Sequence, residues 1–224
     1  TTTAAATDLL LDTYTGAAVA YSVRKLDKDY TGYCMKVRRA SDDAEADIGF
    51  DSNGDLDTAA IATHCGASAG YCSVWYDMSG NSNNATQSTA SLQPQIYNGT
   101  AVITDNGKPA LDTSAGQQLF YNNYAVSTSN TYTFQVVSNI TAGDNAFTLF
   151  SDTTNTVRIP RAQASSNTNY LYGFTENNFY KNGSTVTLTT RLSALNTYVD
   201  GQLLFGFIGS PDSNYTMQGV FAVD

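Results

Sequence analysis

Apolar and polar positions along the chain change period near residue 72. Before that point two stretches carry helical spacing. The segment "GAAVAYSVRKL" (16–26) sets Ala17, Tyr21 and Val23–Arg24 around one face, with Ala18 and Val19 adding helix propensity. The segment "LDTAAIATHCG" (56–66) places Leu56, Ala59, Ala60 and Thr63–His64 at the same spacing, and Gly66 stands where a helix stops. A strand-like "CMKVRRA" lies between them. Beyond residue 72 the period falls to two. "TYTFQVV" (131–137) alternates Tyr132, Phe134 and Val136 against Thr and Gln, and "NYLYGF" (169–174) does so with Tyr170, Tyr172 and Phe174. Asn98-Gly99, Asn106-Gly107, Asn182-Gly183 and Asp200-Gly201 punctuate these runs; each pair supplies two residues suited to the positive φ of tight hairpin turns. The pair inside "TYVDGQLLF" (197–205) joins two short apolar runs and is the clearest hairpin signal. Short strands with turns at this spacing predict an all-β fold, a two-sheet antiparallel β-sandwich or jelly roll, with one or two short helices near the N-terminus. A Thr/Ala-rich tail (1–7) is expected to be loose, followed by a single domain over 8–224.

Composition agrees. Charged residues make up only 14% of the 224 residues, and the only glutamates are Glu45 and Glu176. Thr, Ser, Asn, Gly and Tyr carry the polar surface, a palette that suits strands and turns. A chain this long buries roughly 70% of its unfolded surface and needs no staple or metal to hold a core. The net charge of −9 repels phosphate backbones and anionic headgroups, which argues against nucleic-acid and membrane-surface partners. The basic run Lys36-Val37-Arg38-Arg39 is followed by Asp42, Asp43, Glu45 and Asp47 and is expected to be neutralised locally. No apolar run approaches the roughly 18 residues of a membrane helix. No leader peptide is visible and the first residue is not Met, so the chain is expected to be a processed or excised piece. Cys65 and Cys72 flank "GASAGY" and can pair as a disulfide in an oxidising setting, leaving Cys34 over. Asn-x-Ser/Thr triplets at Asn84, Asn98, Asn139, Asn182 and Asn214 arise readily by chance in such a composition.

Few motifs carry chemistry. His64 is the only histidine and lies on a predicted helix with no nucleophile elbow nearby, so a catalytic triad and a zinc site both lack parts. No cofactor is implied. "DSNGDLD" offers Asp51, Asn53, Asp55 and Asp57 at alternate positions, a candidate calcium loop. Its glycine falls at the fourth position and Ala62 stands at the twelfth, which favours a solvated turn ahead of a helix. Glycoside hydrolysis needs two carboxylates across a groove; Asp77, Asp112, Asp152, Glu176 and Asp200 are available, and nothing in the sequence pairs any two. In "VWYDMSGNSNNATQ" (74–87), Asp77 ends an apolar strand ahead of Ser79-Gly80 and is expected to lock the turn, with Trp75 in the core.

Taken in order, "AAVAYSVRKL", "YTGYCMKVRRASDDAEADIGF", "GDLDTAAI", "VWYDMSGNSNNATQ" and "DNGKPALD" resemble the N-terminal half of the catalytic domain of α-L-arabinofuranosidase B. They look closer still to related domains of bacteriophage virion and tail proteins. Arg39, Ser41, Asp42, Ile48, Asp57, Tyr76, Asp77, Ser79, Gly80, Asn83, Gly107 and Ala110 carry the match, which covers roughly residues 17–112. "YVDGQLL" and "MQGVFAVD" look like closing strands of concanavalin A-like, laminin-G-type sandwiches. The enzymes carry a vicinal Cys-Cys pair, a Glu nucleophile and a later Asp acid/base; this chain has no adjacent cysteines, and nothing around Glu176 resembles the nucleophile's motif. The Cys65–Cys72 loop does resemble a disulfide loop of the enzymes. The resemblance therefore implies a non-catalytic protein of the virion surface, extracellular: a tail fibre, tail tip or capsid decoration with other virion proteins as partners. A homo-oligomer and a cell-surface glycan partner fit that role, the glycan held by Tyr121, Tyr124, Tyr170, Tyr172 and Tyr180. A purely structural assembly role is an alternative. The rival is an arabinofuranosidase-like hydrolase using Glu176 with Asp200 or Asp212.

Overall fold

A computed structural model of the protein describes residues 8–113, 120–121, 124–139, 146–152, 158–163, 168, 174–198, 202–211 and 215–218. The ladders within residues 8–112 and within residues 124–218 are antiparallel, the helices are few and short, and the architecture is all-β, of the β-sandwich class. The chain divides into two compact units, residues 1–112 and 113–224.

The first unit opens with the single turn α1 (Leu10–Thr13), then β1 (Met35–Arg39), β2 (Glu45–Ile48), α2 (Thr58–Cys65), β3 (Ala69–Trp75), β4 (Ala85–Thr86), β5 (Gln95–Asn98) and the hairpin β6 (Thr104–Asp105)–β7 (Lys108–Pro109). In the sheet β1 lies between β2 and β3, and the far edge of β3 pairs with β5 at its start and β4 at its end. Alternation decides which faces are buried. Met35 and Val37 are fully buried, while Lys36 and Arg38 project on the other side. α2 lies over β1, β3 and β5 and buries Ile61 and Cys65. Its start and stop are set by side chain and backbone: the Asp57 carboxylate accepts from Ala60 N at 2.9 Å, and Gly66 takes φ +58°. The helix sits close because Gly70 has no side chain; a Cβ there would stand 2.6 Å from Cys65 Sγ and 3.1 Å from Val37 Cγ1.

Residues 16–26, expected to be helical, are not. Their backbone groups are taken by distant partners. Ala20 N donates to the Asp77 carboxylate (2.8 Å), Met78 N to Ala20 O (2.8 Å), Trp75 Nε1 to Ser22 O (3.3 Å), Leu56 N to Val23 O (3.0 Å) and Lys25 N to Gly54 O (2.7 Å). A helix would use these groups internally and leave the buried end of β3 without partners. Tertiary bonding outweighs the local propensity of Ala17–Ala20.

Asp77 fixes that arrangement. The residue is 4% exposed, and its two oxygens accept four hydrogen bonds: Ala20 N (2.8 Å) and Ser79 N (2.9 Å) on Oδ1, Ser79 Oγ (2.7 Å) and Asn83 N (3.0 Å) on Oδ2. Asn83 Nδ2 and Asn81 Nδ2 reach Ala18 O, and Tyr21 Oη donates to Asn83 O. One buried carboxylate thus joins the 18–20 segment, the end of β3 and the 79–83 turn, where Gly80 takes φ +86°.

The second unit contains β8 (Phe120–Tyr121), β9 (Tyr124–Val126), β10 (Tyr132–Asn139), β11 (Ala146–Asp152), β12 (Arg158–Gln163), β13 (Phe174–Lys181), β14 (Ser184–Val186), α3 (Arg191–Tyr198), β15 (Gln202–Pro211) and β16 (Tyr215–Gln218). One sheet runs β10-β15-β13-β14, the other β12-β11-β16-β9. Phe207, Phe179 and Val136 form the buried face of the first, with the two rings 5.0 Å apart. The hairpins at Asn106-Gly107 and Asn182-Gly183 form with both residues at positive φ (47° and 73°, 50° and 80°). The expected turn at Asp200-Gly201 lies outside the described residues, while Thr197 and Tyr198, its expected first arm, belong to α3. Thr190 and Ser193 cap that helix reciprocally, Ser193 N on Thr190 Oγ1 (3.0 Å) and Thr190 N on Ser193 Oγ (2.9 Å), a local signal that competes with the strand pattern.

Two outcomes follow for stability. Asp77→Ala removes the acceptor of three partly buried backbone donors and should lower the unfolding free energy by about 2–4 kcal/mol in urea titrations; a loss within experimental error contradicts the role given to the carboxylate. Gly70→Ala should cost about 1–3 kcal/mol through overpacking under α2, and an unchanged midpoint would show that the helix moves freely.

Candidate active site

Most carboxylates of the first unit are spent on structure. The proposed calcium loop is an Asx turn: Asp51 Oδ1 accepts from Asn53 N (2.8 Å) and Asp55 N (3.0 Å), backbone bonds that hold its carboxyl below the usual range. Asp55 pairs with Arg24 Nε at 3.5 Å and Asp57 caps α2. Among the described residues no three His, Cys, Asp or Glu side chains gather to hold a metal. The basic run is matched charge for charge. Arg39 grips Asp42 with two bonds (2.8 and 2.7 Å), Arg38 Nη1 meets Asp43 at 2.8 Å, and Lys36 Nζ lies 3.8 Å from Asp47. His64 Nε2 sits 3.2 Å from Ala44 O, at the end of α2. The expected Cys65–Cys72 bridge is not formed. Cys34, Cys65 and Cys72 are all free and buried, and burial pushes each thiol up. No helix among the described residues is long and apolar enough to cross a membrane.

The second unit holds the remaining candidates. Glu176 lies in β13 at a break in register: Thr175 pairs with Ser210 and Asn177 with Gly209, so Glu176 is the extra residue of a β-bulge. A bulge re-aims a side chain out of the ladder's alternation and recurs beside active sites. No sequence signal marks this bulge. Asp200 and Asp212, its suggested partners, lie outside the described residues, as do Tyr170 and Tyr172. Tyr121 falls in β8 and Tyr124 in β9.

Tyr180 lies further along the same strand. Across the sheet, Gln135 of β10, Gly206 of β15 and Tyr180 of β13 form one row, on the face opposite Phe179 and Phe207. Gln135 and Thr133 are exposed, Tyr180 and Ile208 half-buried, and a depression of about 190 Å³ opens between them with Gly206 in its floor. Glycine inside a strand costs about 0.5–1 kcal/mol relative to alanine. Here a Cβ would stand 3.2 Å from Tyr180 Cβ and 3.7 Å from its ring, so Gly206 lets the tyrosine lean across β15. Gly206 was missed in the sequence; the signal was a glycine interrupting the apolar run "LLFGFIG".

The family model described as alpha-L-arabinofuranosidase B, catalytic, matches residues 7–202. Among solved structures, a crystal structure of an arabinofuranosidase complexed with arabinofuranosyl-alpha-1,2-xylobiose aligns with a TM-score of 0.48 at 14% identity, covering 95% of this chain and 60% of that one. The chain therefore spans less than two thirds of that protein's length. No curated protein matches. These findings correct three expectations. The family resemblance is not confined to residues 17–112 but runs into the second unit as far as residue 202, so most of the half expected to have lost the chemistry lies within the match. The family is that of a catalytic domain, which overturns the reading of the chain as non-catalytic. The matching family is that of an arabinofuranosidase catalytic domain and not of a virion protein, which overturns the tail-fibre, tail-tip, decoration and assembly readings.

The Arg39–Asp42 pair has a measurable signature. The two bonds from Arg39 hold the Asp42 carboxyl down at about 2. A depressed folded value means that the pair's contribution is present above the unfolded value of 3.8 and is lost as pH falls through about 2. Carboxyl NMR should show Asp42 titrating near that value, and moving up in Arg39→Ala. A midpoint in the ordinary aspartate range for the unaltered protein would contradict the pairing.

Proposed function

The chain belongs to the α-L-arabinofuranosidase B catalytic family, and from that premise we propose that it is a glycoside hydrolase that releases arabinofuranosyl groups. The observation that carries the reading is the position of Glu176. It falls within the 7–202 match and occupies the bulge of β13, in the same sheet as an open, tyrosine-bearing face. Cleavage of a glycosidic bond asks for one carboxyl group to protonate the leaving oxygen and a second to attack or to activate water. Glu176 is one of only two glutamates in the chain; the other, Glu45, sits exposed on β2, an edge strand of the first unit. Glu176 is assigned the nucleophile's role, with Asp200 or Asp212 as acid/base. No metal or redox group enters this chemistry. A polymeric substrate does not cross membranes, which supports an extracellular place of action.

Nitrophenol release from an arabinofuranoside tests the assignment. The unaltered protein should turn over, and Glu176→Gln should lose about 10²–10⁴-fold in kcat with unchanged folding. Wild-type turnover in the variant removes Glu176 from the mechanism, and an inert parent protein removes the hydrolase reading.

A further inference from the structure

We infer that the row Tyr180–Gly206–Gln135 is a binding subsite for one ring of a neutral polysaccharide. The row's geometry is complete without the cleaving carboxylates; only the identity of the polymer as one bearing arabinofuranosyl groups rests on the hydrolase reading. Gln135 and Tyr180 stand two strands apart, about 9.6 Å at the usual spacing, and Gly206 puts no side chain between them. The tyrosine leans over that gap, giving an aromatic face beside an apolar floor of Ile208 and the Gly206 backbone. Sugar rings have an apolar C–H face and an equatorial rim of hydroxyls. Tyr180 suits the first, while the Gln135 amide and the Thr133 hydroxyl, both exposed, suit the second as donors and acceptors.

Size and charge narrow the occupant. At about 190 Å³ the depression is smaller than the roughly 300–1,000 Å³ of sites that enclose whole ligands, so it takes a single ring of a chain lying across the surface. The net charge of −9 disfavours uronate-rich polymers. Among the described lining residues none is charged, and a neutral ring meets no desolvation penalty from an ion there.

Affinity electrophoresis through gels containing soluble arabinoxylan, with polygalacturonate gels as the anionic counterpart, tests the subsite without requiring turnover. The unaltered protein should be retarded in arabinoxylan and not in polygalacturonate. Tyr180→Ala should weaken retardation about tenfold or more, and Tyr180→Phe by no more than about threefold, because the ring remains. Gln135→Ala, an exposed position that folding tolerates, should weaken it about threefold to tenfold. Unretarded parent protein, equal retardation in the anionic gel, or unchanged retardation of Gln135→Ala together with Tyr180→Ala each overturns the proposal. If Tyr180→Ala fails to fold, Gln135→Ala alone decides. Retardation lost in the variants of a protein that cleaves nothing leaves the subsite standing and the hydrolase reading fallen; cleavage without retardation gives the reverse.

Discussion

The first unit depends on a single buried charge. Asp77 is itself 4% exposed, between Trp75 at 8% and Met78 at 1%. Such a charge is tolerated only when donors surround it. Three backbone amides and a serine hydroxyl do so, drawn from residues 20, 79 and 83. Satisfying the carboxylate constrains the path of the chain, because Ala20 must lie beside the residues that follow β3 to reach it. The polar run after Asp77 is then explained. Ser79 and Asn83 donate to the carboxylate, and the Asn81 and Asn83 side-chain amides tie the turn to Ala18 O.

That constraint also shows where the sequence was legible. Features set within a few residues were readable: the Gly66 stop of α2, the alternation of β1 and β10, the positive-φ pairs at Asn106-Gly107 and Asn182-Gly183. Features set by distant partners were not. The helical spacing of 16–26 was real but lost to bonds with residues distant in sequence, Gly54, Leu56, Trp75, Asp77 and Met78. "TYVD" alternates like a strand arm, yet the Thr190–Ser193 cap draws Thr197 and Tyr198 into α3. The bulge at Glu176 depends on how β13 meets β15, information that no window of one strand contains.

Function was misjudged for a related reason. The residues of the first half that resemble the family are mostly structural: Asp57 caps a helix, Arg39 and Asp42 pair, and Asp77 and Asn83 build the turn cage. A motif made of such residues identifies a scaffold and is silent on catalysis. The second unit, where local motifs are generic, holds the one bulged glutamate and the tyrosine row. The family match through residue 202 takes in most of that unit.

The central claim is that Glu176 forms the covalent bond to the sugar. An arabinofuranose-configured epoxide esterifies an attacking carboxylate and stays attached, and Arg161 and Lys181 bound a tryptic peptide in which Glu176 is the only carboxylate side chain. Mass spectrometry of the digest should find one sugar adduct on residues 162–181, absent from Glu176→Gln. An adduct on any other peptide, or an unlabelled protein after prolonged exposure, contradicts the account.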